Sequence, residues 1–195
     1  ISLGDEGIFI LDMKGKVVAK VIQKREDLSY AYLIATDSGR GIADQYKIKY
    51  FSEDGKFYES ALYDRVNLIL PTGKTSVKAG NVFAQYLRNG NATVNQLMKV
   101  RVQEGKVKDI YIAGNHPEAN TFCRMDLFDV SNPDDKGIYY CNDLFKNTYH
   151  LPVTAPVFVI PGNLTDERSY RIDNVKMFTG TNYYRVSLYA PNDLG

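Results

Sequence analysis

A Gly-Lys turn between two β-favouring runs is written three times in this chain: Asp12-Met-Lys-Gly15-Lys16-Val17, Ser52-Glu-Asp-Gly55-Lys56-Phe57 and Val102-Gln-Glu-Gly105-Lys106-Val107. Glycine after a short polar pair supplies the positive φ that a tight hairpin needs, and the flanking runs supply its strands. Three such turns commit the chain to antiparallel sheet. Their glycines lie 40 and then 50 positions apart, too irregular for a solenoid period. They are expected to be three corners of one domain, with the lysines keeping the corners soluble.

The runs between the turns fit that expectation. Tyr46, Ile48 and Tyr50 alternate with Gln45, Lys47 and Lys49, as in a half-buried strand. Leu28 to Thr36 is apolar on both faces at its centre, which marks a central or strongly curved strand. Phe57 to Leu62 and Asp64 to Leu70 read as two further strands. Val77, Val82, Phe83, Tyr86 and Leu87 recur at near-helical spacing, with Ser76 as a cap and Asn89-Gly90 as a stop, so one short helix is predicted near 77–88. Gly80 weakens that helix by about 1 kcal/mol relative to alanine.

Gly114-Asn-His-Pro117 reads as a linker, and no fourth Gly-Lys turn follows it. The expected fold is mainly β. Residues 1–114 would form a small curled sheet or barrel of short antiparallel strands, with the helix near 77–88. Residues 115–195 would form a second β-rich (α+β) subdomain, in which Ala155 to Ile160 and Tyr183 to Tyr189 are the clearest strands.

The 195 residues suffice for one domain or two small ones, and a single domain of this size buries roughly 70% of its unfolded surface. Lys and Arg number 24 against 23 Asp and Glu. That balance argues against a dedicated nucleic-acid binder, which carries a basic excess on one face. No run of about 18 apolar residues is present, so no membrane span is expected. The chain begins at Ile1 inside a strand-like pattern, without Met or a visible signal peptide, and reads as a processed chain or a piece of a longer one. There are 15 Tyr, 9 Phe and no Trp. Tyrosine suits half-buried strand positions, and a Tyr-rich surface also suits stacking on sugar rings or a protein interface.

The usual catalytic and metal signatures fail on spacing. Gly73-Lys-Thr75 lacks the first glycine of a phosphate loop, because position 68 is Leu68. His116 falls in the linker and His150 precedes Leu151-Pro152, so surface or packing roles are expected for both. Asp126 with Asp129 and Asp134 with Asp135 read as turn and capping residues. Asn132, Asp134, Asp135 and Asp143 are a weak oxygen-ligand set for calcium without EF-hand spacing. Cys123 and Cys141 form no CxxC pair and lie at no metal-ligand spacing with the histidines. Two free thiols, at least one buried, are the expectation, and a disulfide worth about 3 kcal/mol is the alternative. Asn91-Ala-Thr93 and Asn163-Leu-Thr165 are N-glycosylation-type triplets that arise by chance in an Asn-rich chain.

Taken in order, the pieces resemble the β-rich repeat regions of large secreted bacterial surface proteins that carry S-layer-homology (SLH) modules. The resemblance runs through Gly4 to Val18, the "Lys-Tyr-Phe-x-x-Asp-Gly-Lys" strand at Lys49 to Lys56, and Val77 to Val82. It continues in Lys99 to Ile110, Pro156 to Tyr170 and Phe178 to Tyr189. It covers most of the chain and rests on hairpin spelling. No SLH module itself is present, and no active-site residues carry over. The resemblance implies an extracellular, envelope-associated, non-catalytic structural module with no cofactor, whose partners are other protein subunits or further copies of itself. Two alternatives stand beside it: a carbohydrate-binding module, resting on Tyr139-Tyr140 and Tyr183-Tyr184, and a structural protein of a bacteriophage virion.

Overall fold

The alternating runs become strands, and five of them close on one another. The computed structural model describes residues 8–11, 17–21, 28–39, 45–114, 123–126, 140–141, 144–145, 149–150, 155–177 and 186–190. In chain order the first strands are β1 (Ile8–Leu11), β2 (Val17–Val21), β3 (Ser29–Ser38), β4 (Tyr46–Ser52), β5 (Phe57–Leu70) and β6 (Gly73–Lys78). A helical segment follows, α1 (Ala79–Val82) running into a π turn over Phe83–Leu87, and then β7 (Arg88–Asn89), β8 (Ala92–Thr93), β9 (Leu97–Gln103) and β10 (Lys106–Ile112). The later strands are β11 (Cys123–Asp126), β12 (Tyr140–Cys141), β13 (Leu144–Phe145), β14 (Tyr149–His150), β15 (Pro156–Val159), β16 (Arg171–Asn174) and β17 (Ser187–Ala190).

β3 pairs with β4 and β9, β4 with β5, and β9 with β10, all antiparallel. β10 then pairs with β5 in parallel and closes a five-stranded barrel. The spatial order β9-β3-β4-β5 is a Greek key, in which the fourth barrel strand returns beside the first. Closure removes the open edges of the sheet. Leu33, Ile48, Tyr50, Leu62, Val66, Leu68, Val100, Val107 and Ile110 form the barrel core, with Ala79, Val82, Phe83 and Leu87 of the helical segment packed into it. The mainly-β barrel with one short helix is therefore the observed fold, although its strands are longer than expected. Phe57 to Leu70 is one continuous strand rather than two. Its first part pairs with β4 and its last part with β6. Between the Leu62–Val107 and Asn67–Asp109 pairs the parallel register shifts, so four residues of β5 face Lys108 alone.

Two expectations need correction. The helix begins at Ala79, not near 77. Val77 lies in β6 opposite Val66, and Ser76 meets Arg65 across the ladder instead of capping a helix; strand pairing outcompetes the helical spacing. The second correction concerns the corners. Gly55 (φ 77°) turns β4 into β5, and Glu104 (φ 51°) with Gly105 (φ 78°) turns β9 into β10, as a tight hairpin with left-handed residues requires. The first Gly-Lys pattern, by contrast, joins β1 and β2, which form a two-stranded sheet of their own. Two of the three patterns, not all three, are corners of the barrel.

Beyond the barrel, β11 pairs with β17, β12–β14 form a small meander, and β15 pairs with β16.

Candidate functional site

Side chains alternate across a strand, so the register decides which outward-pointing residues meet. Leu97 lies opposite Tyr32, Tyr32 opposite Phe51, and Phe51 opposite Phe57. This is one apolar row across β9, β3, β4 and β5 on the outside of the barrel. The β15–β16 hairpin covers it. Phe158 meets the Phe51 ring edge-on at 6.1 Å, and Tyr170 lies 5.3 Å from Phe51 and 5.1 Å from Phe57. Phe51 is only 1% exposed and Leu97 8%, although both point away from the barrel core.

The loop of this hairpin is set by its own polar residues. Asn163 accepts hydrogen bonds from the backbone N–H and the hydroxyl of Thr165, and Ser169 donates to Asp166 at 2.6 Å. The Tyr170 hydroxyl donates to the Leu164 carbonyl at 3.0 Å. Burial, with Tyr32 and Glu167 nearby, pushes the Tyr170 hydroxyl up to about 12. Glu167 pairs with Lys49 of β4, and this hydrogen bond raises the Lys49 ammonium above its ordinary value. The hairpin is thus seated on the barrel by three ring contacts and one ion pair.

The adjoining wall, on β3, β9, β10 and β5, has another character. Tyr30, Lys99 and Tyr111 form one cross-strand row. Arg101, Asp109 and Asn67 form the next. Asp109 is 3% exposed and accepts hydrogen bonds from Asn67 Nδ2 at 2.6 Å and Arg101 Nη1 at 3.2 Å. The ammoniums of Lys108 and Lys106 stand 4.8 and 5.8 Å from the centre of the Tyr63 ring, whose hydroxyl donates to Glu104. Lys99 stands 5.1 Å from the Tyr30 ring, and burial lowers its pKa. This wall therefore gathers lysine ammoniums and tyrosine rings on adjoining strands.

His116, Asp129, Asn132, Asp134, Asp135 and Asp143 lie outside the described residues, as do Tyr139, Tyr183 and Tyr184. Cys123, Asp126, Tyr140, Cys141 and His150 lie in strands described by their backbone alone. Gly73, Lys74 and Thr75 are extended in β6 opposite Leu70, Ile69 and Leu68, a ladder rather than a phosphate cradle. Among the described residues no group of three or more His, Cys, Asp or Glu is placed to hold a metal ion. No helix among them is long and apolar enough to cross a membrane. The residues that do come together, Tyr32, Phe51, Phe57, Phe158 and Tyr170, were not singled out from sequence. One signal was available: Phe51 and Phe57 flank the second Gly-Lys turn at distances that pair them across the hairpin.

The helical segment lies between the third and fourth strands of the closed barrel, and the hairpin carrying Phe158 and Tyr170 sits on its second and third strands, β4 and β5. Compared with models of known protein families, with curated proteins and with solved structures, the chain matches none of them.

Proposed function

We propose that this chain is a non-catalytic structural module of a bacterial cell-surface or extracellular assembly, an S-layer-like or filament scaffold that works through protein–protein contacts. One observation carries the reading: the outer face of β4 and β5 is covered by the protein's own Phe158 and Tyr170. A wall that holds a protein segment through packed rings is an interface between protein elements, of the aromatic-rich kind that dominates interface energetics. The resemblance to β-rich regions of SLH-bearing surface proteins supports the extracellular setting. Light scattering across a concentration series, with immunogold imaging of the native envelope, tests it. Concentration-dependent association and surface labelling are expected; a monodisperse intracellular monomer with turnover activity defeats it.

The second reading, a carbohydrate-binding module, is favoured by the wall of Tyr30, Lys99, Tyr111, Tyr63, Lys106 and Lys108. A glycan array that includes acidic sugars tests it. Retention lost on Tyr63→Ala supports this reading, and no retention of any sugar at about millimolar affinity removes it.

A further inference from the structure

The two surfaces that meet when the hairpin docks are far apart in sequence. Tyr32, Phe51, Phe57 and Lys49 belong to the barrel. Phe158, Glu167 and Tyr170 arrive after the 43 residues from Ala113 to Ala155. The contacts described between them are ring on ring, plus the Lys49–Glu167 pair. Among the described residues, β15 and β16 pair only with each other and add no strand to the barrel sheet. The hairpin's loop is held by its own bonds, from Asn163 to Thr165, Asp166 to Ser169 and Leu164 to Tyr170. Among the described residues, donor and acceptor surfaces are therefore each built within their own segment. A segment linked within one chain competes with a neighbour's at an effective concentration set by the link, on the order of a millimolar for short links. Copies packed side by side in an assembly reach comparable local concentrations, so a neighbour's hairpin competes with the chain's own.

We propose that this hairpin is exchangeable: in the assembly, Phe158 and Tyr170 of one copy seat on the Tyr32–Phe51–Phe57 row of the next, with Glu167 against that copy's Lys49. The proposal rests on the scaffold reading and names the contact that reading lacks. Each copy then carries one donor and one acceptor. Reciprocal exchange closes a dimer, and one-way donation is a heterologous contact that propagates into a ring or filament.

The ion pair makes exchange readable. Full-length chain in unlabelled and ¹⁵N-labelled forms is mixed one to one and refolded together at about 1 mM and at about 10 µM, either side of the range of intramolecular effective concentrations. A zero-length carbodiimide then joins the Lys49 amine to the Glu167 carboxylate. At the higher concentration the 49–167 cross-linked peptides should be isotopically mixed in a share approaching half, and that share should fall on dilution. Cross-links of one isotope only, at both concentrations, overturn the proposal. If other Lys–carboxylate cross-links are mixed while 49–167 is not, the chain assembles through a different surface: the exchange falls and the scaffold reading stands. If no cross-link is mixed and scattering shows a monomer throughout, both fall.

Charge reversal supplies an independent arm. Lys49→Glu and Glu167→Lys each oppose like charges within one chain, whereas an exchanged pair of the two variants restores opposite charges at both contacts. The mixture should associate at a concentration about threefold or more below that of either variant alone, the scale of one exposed ion pair. Equal association of mixture and single variants overturns the proposal.

Discussion

Asp109 points outward from β10 and is nonetheless buried, because Arg101 and Asn67 close over it from the flanking strands. Deleting its carboxylate leaves two donors facing each other without an acceptor. Asp109→Ala is expected to lower stability by about 2 kcal/mol, read from the urea midpoint. Arg101 is 39% exposed and regains some water, which keeps the cost below that of a fully buried pair. Tyr170 gives a pH signature. Its hydroxyl is raised in the fold from an ordinary 10 to about 12, so the unfolded chain loses this proton first as pH rises. The stabilisation is complete below pH 10 and is lost between pH 10 and about 12. Two pKa units correspond to at most about 3 kcal/mol. Phenolate absorbance and urea midpoints across that interval should show the loss in the native protein. Tyr170→Phe should lack this component.

At the scale of elements, the β15–β16 hairpin depends on the barrel more than the barrel depends on it. Phe158→Ala removes one of the rings that seat it. Hydrogen exchange should then rise in residues 156–174, while the amides of β3, β9 and β10 keep their protection, since their ladder does not involve the hairpin. The same contrast explains what could be read from sequence. The alternation in Gln45 to Tyr50 and the second and third Gly-Lys turns were legible, because pleat and positive φ are local properties. The helix start was not, because Val77 answers to Val66 across the sheet. Gly80 looked like a defect in a helix, yet a Cβ there would stand 2.7 Å from the Tyr46 hydroxyl, whose ring packs edge-on against Phe83. Its smallness is a packing requirement set 34 residues away in sequence. The aromatic row was invisible for the same reason: it exists only once the registers of four strands are known.

For the molecule as a whole, closure through the parallel β5–β10 pairing makes the barrel one cooperative unit. Leu33 is fully buried at its centre, and Leu33→Ala should cost about 2–5 kcal/mol. The chain has no Trp, so far-UV dichroism and tyrosine emission are the probes. Their urea midpoints should shift together if the barrel unfolds as one.

The strand order also decides how the barrel meets a pulling force. β3 and β10 run in the same direction, each antiparallel to the β9 strand between them. The chain enters β3 at its start and leaves β10 at its end. Tension on the two ends of the barrel therefore drags β3 and β10 in opposite senses along their own axes. Every hydrogen bond of the β3–β9 and β9–β10 ladders bears the load at once, and none is peeled open in turn. A module of this design is loaded in shear, and its lifetime under tension is set by the rate of that simultaneous rupture.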